Sequence, residues 1–210
     1  AMKLRRQARV AVFVCGDGAT SKGDFYEALN AAGVWKLPLV FVVNNNQWAI
    51  SVPRNQQTGS ETIAQKAIAA GFGGEQVDGN DIIAVREVFQ QALKKARQGQ
   101  GPSLIEAISY RLCDHTTADD ASRYRSQQEW DEHWEKEPVK RLQKFMAAQG
   151  YWDANQEEAL LAECAAEVDR AVEIYIHTPA QPVSAIFEYM YANMPHDLAE
   201  QCRSLTDEES

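Results

Sequence analysis

No apolar run in this 210-residue chain approaches the roughly 20 residues that span a bilayer, so a membrane-embedded protein is not expected. The opening AMKLRRQARV is basic but has neither an apolar signal core nor a cleavage pattern, and the chain is read as soluble and intracellular. Cysteine is scarce: four residues (Cys15, Cys113, Cys164, Cys202) stand far apart, with no CxxC pair and no histidine at ligand spacing. That pattern gives a zinc site no support and does not suit a disulfide framework. Basic charge is also short. The net charge of -9 argues against a nucleic-acid partner, because phosphate recognition needs a basic surface. Repeats and low-complexity tracts are absent.

What is present is a core-forming composition, 45% hydrophobic, with a clear change of character along the chain. Three short β-branched runs, at 10–15, 39–43 and 104–108, read as buried parallel strands, and a weaker one lies around 75–77. Between the first two, Phe25, Leu29, Ala32 and Trp35 recur at helical steps and are expected to form a core stripe. TIAQKAIAAG and DIIAVREVFQQALKKARQG read as two further helices, the second with Asp81 near its cap and Gly99 past its end. Strands alternating with helices predict an α/β fold: a mostly parallel sheet of three or four strands, covered by helices on both faces. RLCDHTTADDASRYRS is polar and aperiodic, hence a long loop, and such loops are often functional. Beyond it the chain reads as helical, with Pro138 opening one helix and Pro179 and Pro182 interrupting before the last. The expected division is an α/β core over 1–126, including a loop at 110–126, and a helical region over 127–210 packed on it.

In VFVCGDGATSKGD the first strand gives way at Cys15 to Gly16, Asp17 and Gly18, expected to open straight onto the next helix, which on its own is an ordinary Asp-Gly turn. The second strand ends in VVNNNQW, 29 positions after Asp17 at Asn46, a separation that suits strand end, helix and next strand. Ligands of open parallel sheets bind at the carboxyl ends of the strands, so these groups can converge. A carboxylate with a side-chain amide oxygen suits Mg²⁺, and glycine-flanked N–H groups suit an anion. A magnesium diphosphate fits both.

GDG, twenty-six residues (19–44) and a paired Asn at a strand end resemble the thiamine-diphosphate motif. Together with QVDGND, GPSLIEAISYR and HTTADDASRYRS, the chain resembles the alpha subunit of the thiamine-dependent decarboxylases of 2-oxo acid dehydrogenase complexes, in particular the bacterial pyruvate dehydrogenase form. The similarity runs from about residue 10 to the C-terminal MPHDLAEQ.

The resemblance implies a thiamine-diphosphate-binding fold and a cytoplasmic bacterial enzyme. Asp17, Asn46 and the backbone carbonyl of Trp48 would ligate Mg²⁺, and Gly18 and Ala19 would lie against the diphosphate. His115, in the loop at the active-site mouth, would be catalytic: it would contact the cofactor or acyl group and assist transfer to a lipoyl group. Thr116, Asp119, Asp120 and Tyr124 read as loop scaffold, with Arg111 and Arg125 ordering the loop through ion pairs. Asn44 stands where the family more often has Glu or Gln. The implied partners are a beta subunit, which supplies the glutamate that activates the aminopyrimidine ring, a lipoyl acyltransferase component, and a 2-oxo acid such as pyruvate. The family's alpha subunit has a further N-terminal half, so the fold expected here is truncated and the chain alone is expected to be inactive and to self-associate. Two other readings stand beside this one. One is a non-catalytic assembly fragment with an incomplete cofactor site; the other is a Mg²⁺-dependent phosphate-ester enzyme, weakened by the lack of further carboxylates near Asp17.

Overall fold

The β-branched runs and helical stripes take the expected forms in a computed structural model, which describes residues 1–207. Strand β1 (Ala11–Gly16) passes through a five-residue 3-10 turn (Asp17–Ser21) into helix α1 (Gly23–Val34), and β2 (Leu39–Asn45) follows. The two-residue strands β3 (Trp48–Ala49) and β4 (Val52–Pro53) pair antiparallel and lead into the short helices α2 (Arg54–Gln57) and α3 (Lys66–Ala69). Then come β5 (Gly74–Asp78), α4 (Ile82–Arg97) and β6 (Ser103–Ile108). After a long loop lie α5 (Gln127–Trp134), α6 (Pro138–Ala148), α7 (Ala154–Ile176), α8 (Ala185–Glu188) and α9 (His196–Asp207).

The four long strands form one wholly parallel sheet in the order β1-β2-β6-β5, with Ala11 opposite Leu39, Val40 opposite Ser103, and Gly74 opposite Leu104. On one face Phe25, Leu29 and Ala32 of α1 and Ala67 of α3 pack with Phe41, Val43 and Leu104. On the other, Val88, Phe89, Ala92 and Leu93 of α4 cover Val40, Val77 and Ile105. The α/β class with helices on both faces therefore holds. The strand around 75–77 gives a faint sequence signal because it is an edge strand with one buried residue, Val77. Helix α4 ends as its sequence requires. Asp81 accepts hydrogen bonds from the Ile83 and Ala84 N–H groups at its start, and Gly99 adopts φ +73° just past its end.

Three local expectations are corrected. Trp35 is not core but 62% exposed. Ten residues after Phe25 it has rotated about 80° off the stripe, and the position that would stay on the stripe, Lys36, leaves the helix at φ +45°. TIAQKAIAAG forms one helical turn rather than a full helix: its first bonds, Lys66 N–H to Ile63 and Ala67 N–H to Ala64, are of the tighter 3-10 type, and Gly71 at φ +80° closes it. Gly16–Gly18 do not open directly onto α1, since the 3-10 turn intervenes.

The chain gathers into two compact units, Ala1–Trp152 and Asp153–Ser210. Within the second, a capping box between Asp153 and Gln156 starts α7, and Phe187 of α8 is buried. No helix among the described residues is long and apolar enough to cross a membrane.

Candidate functional site

At the carboxyl end of β1, Asp17 heads the 3-10 turn with only 4% of its surface exposed. Burial raises its carboxyl above the usual carboxylate range; its own and the Gly18 N–H groups, the Gln57 amide and the Arg111 charge oppose that rise. The Gln57 Nε2 donates to Asp17 Oδ2 (3.2 Å) and to the Val52 carbonyl (3.2 Å), so the β4–α2 segment holds the carboxylate in place. Cys15, one turn of chain earlier, has its thiol pushed up to about 11 by burial and then by the Asp17 charge, with Lys66 opposing.

Gly18 packs against β3. A Cβ there would meet the Ala49 Cβ at 2.6 Å, so the missing side chain serves close packing of the turn on the β3 ribbon. Gly16, by contrast, has open space where its Cβ would stand.

The end of β2 supplies the second half of the site. Each of the three asparagines has its own task. Asn44 Oδ1 accepts from the Ser109 hydroxyl (2.7 Å), tying the ends of β2 and β6. Buried Asn45 donates to Glu106 Oε1 (2.7 Å), whose other oxygen takes the Ala64 N–H (2.9 Å). Asn46 Oδ1 accepts from the Trp48 N–H (3.1 Å), which folds the loop back on itself. The Trp48 carbonyl takes a bond from Arg111 Nη1 (3.3 Å), and the same guanidinium lies within electrostatic reach of Asp17. The Trp48 carbonyl is thus held by a guanidinium whose charge also favours the ionised Asp17, and Asn46 is tied to the Trp48 main chain.

The donor set fits a small hard cation. A carboxylate, an amide oxygen and a main-chain carbonyl are the oxygen types Mg²⁺ takes, and each retains a second lone pair beside its present partner. Among the described residues no three His, Cys, Asp or Glu side chains gather as a metal centre.

The loop at 110–126 is a hydrogen-bonded scaffold around Arg111. Its Nη2 donates to the Ile50 carbonyl (2.9 Å) and to the Tyr124 hydroxyl (2.6 Å), and Asp119 lies 4.0 Å away. Tyr124 donates in turn to Asp119 (2.5 Å), which helps hold the Asp119 carboxyl below its usual range. Arg125 works through carbonyls rather than an ion pair, bonding those of Arg111 and Leu112. His115 stands on the exposed part of this loop, its backbone N–H bound to Asp119 Oδ2 (2.8 Å). Thr116 and Asp120 also lie there, with Asp120 capping the short 3-10 turn Ala121–Arg123.

A cavity of about 490 Å³ is lined by Trp48, Asn45, Glu106, Tyr110 and His133 among others. Asp17, Asn46 and His115 do not line it. Sequence reasoning missed Gln57, the Arg111–Trp48 contact, and a buried pair formed by Lys66 and Thr20. Gln57 sits in a short polar segment without pattern. Lys66 stands among Ile63, Ala64 and Ala67, and its place on a buried face was the signal available.

A model of the dehydrogenase E1 component family matches residues 1–184. The chain is 43% identical over its whole length to the pyruvate dehydrogenase E1 component subunit alpha of Staphylococcus aureus, and 42% identical to that of Staphylococcus epidermidis. It spans 57% of the length of each. With most of the chain inside the family's bounds, it belongs to the dehydrogenase E1 component family.

Proposed function

We propose that this chain is the diphosphate- and metal-holding part of the alpha subunit of a thiamine-diphosphate-dependent 2-oxo acid decarboxylase of the pyruvate dehydrogenase type, located in the cytoplasm. The observation that carries the reading is the packing of the turn headed by buried Asp17, at the end of β1, on the ribbon that begins at Trp48 after β2, with Gly18 against Ala49 and Asn46 tied to the Trp48 main chain. Similarity along the whole chain to part of proteins named as E1 alpha subunits supports it.

In this reading Asp17, the Asn46 amide oxygen and the Trp48 carbonyl hold Mg²⁺, and the backbone of Gly18 and Ala19 lies along the diphosphate. Bound thiamine diphosphate supplies the nucleophilic carbon and the electron sink for decarboxylation. Gln57 keeps the Asp17 carboxylate oriented, and Arg111 ties the Trp48 carbonyl to the loop that carries His115. His115, exposed to solvent on that loop, would contact the acyl group and assist its transfer to a lipoyl group. A beta subunit completes the site, and a lipoyl acyltransferase receives the acyl unit. Calorimetric titration of the full-length protein, assembled with its beta subunit, with thiamine diphosphate tests this reading. Saturable binding that requires Mg²⁺ is expected, and binding indifferent to Mg²⁺, or none, would overturn it.

A further inference from the structure

Lys66 is a buried cation that the site described above does not use. It is 6% exposed, and no carboxylate among the described residues forms an ion pair with it. A charged ammonium is costly to bury unless it is bound closely, and Lys66 is bound to one residue twice. Its Nζ donates to the Thr20 carbonyl (2.9 Å) and to Thr20 Oγ1 (3.0 Å), while the Tyr26 ring lies 5.1 Å away. Thr20 is fully buried, and its hydroxyl donates to the Asp17 carbonyl at 2.7 Å. Lys66 therefore reaches across 46 positions of sequence to close the turn whose first residue is Asp17. That turn has no side-chain cap at its start, so Thr20 and Lys66 are its internal lock.

We infer that Lys66 is a positioning residue for the cofactor loop: it acts through Thr20 to hold Asp17, Gly18 and Ala19 in their binding arrangement. The inference rests on the function proposed above. Hydrogen bonds from a charged donor are among the strong ones, and their loss should be felt at the residues they hold.

The test uses the full-length protein assembled with its beta subunit, carrying Lys66→Met, Thr20→Val or Thr20→Ser, read by calorimetric titration with thiamine diphosphate at saturating Mg²⁺ and by amide hydrogen exchange. Lys66→Met and Thr20→Val should each weaken binding about tenfold or more and speed exchange at residues 17–21. Their combination should be little worse than the stronger single change, because both break one lock. Thr20→Ser, which keeps the hydroxyl, should bind as the parent does. Binding by Lys66→Met within about twofold of the parent, with exchange at 17–21 unchanged, would overturn the inference. If Lys66→Met fails to fold, the contrast between Thr20→Val and Thr20→Ser decides the same question. A parent that binds no thiamine diphosphate overturns the proposed function instead, and exchange at 17–21 then still shows whether Lys66 holds the turn.

Discussion

Asp17 carries a conflict between stability and binding. Its carboxyl is raised chiefly by burial, so the folded state takes up a proton more readily than the unfolded chain. This residue's contribution is therefore most favourable when it is protonated, and it is lost as pH rises from the ordinary range near 3.8 through the folded-state value. At neutral pH the ionised group works against the fold. Asp17→Asn should accordingly leave the cofactor-free protein as stable as the parent, or raise its Tm by about 2 °C, while Mg²⁺-dependent thiamine diphosphate binding falls sharply. A marked drop in Tm, or unchanged binding, would contradict the assignment. His115 poses a different question, since its side chain is exposed and only its backbone is held. With His115→Ala, reduction of lipoyl groups should slow about 100-fold, and decarboxylation read with an artificial electron acceptor should change little. Equal small losses in both assays would make His115 part of the loop scaffold.

At the scale of elements, the site depends on how closely the 3-10 turn approaches the β3 ribbon. Gly18 and Ala49 meet where a Cβ on the glycine would come within 2.6 Å of the Ala49 Cβ. Gly18→Ala should push the two apart, destabilise the protein by about 1–3 kcal/mol and weaken cofactor binding. The Ala49 Cα lies 3.8 Å from the same point, an ordinary contact. Adding Ala49→Gly should therefore restore most of what Gly18→Ala loses, and failure of that rescue in chemical denaturation would remove this packing account. Sheet ends and loops are joined in the same manner. Ser109 of the post-β6 segment holds Asn44, and Arg111 links the carbonyls of Trp48 and Ile50 to Tyr124.

For the whole molecule, β1 ends the sheet with one neighbour, β2, and leaves Val12, Phe13 and Val14 partly open to solvent. An apolar edge strand is a template for pairing with another chain. The 210-residue chain alone should fold, show no turnover of pyruvate, and scatter light as a dimer or larger species despite its net charge of -9. Val14→Lys, placed at a position 64% exposed, should shift that species toward monomer. A monodisperse monomer for the parent chain, or pyruvate turnover abolished by Asp17→Asn, would refute this expectation.

Much of the fold was legible in the sequence, because local patterns are enough for it. β-branched runs mark buried parallel strands, helical stripes mark the covering helices, and Asp81 and Gly99 bracket α4 through cap chemistry that involves only near neighbours. Asp17 and Asn46 could be named because GDG and the paired Asn stand a strand and a helix apart, and strand ends on one side of a parallel sheet converge. The length of the TIAQKAIAAG helix, the exposure of Trp35 and the tasks of Gln57, Lys66 and Arg111 were decided only by tertiary structure. In the first case the segment runs as 3-10 turns from Ile63, while its Ala64 N–H is held by Glu106, 42 positions away. In the second the chain turns at Lys36 before the stripe completes another step. Gln57 and Lys66 reach partners 40 and 46 positions distant, and Arg111 one 63 positions distant. No local period encodes such contacts. They exist because folding brings distant backbone groups to one sheet end, where a buried carbonyl or carboxylate must find a donor.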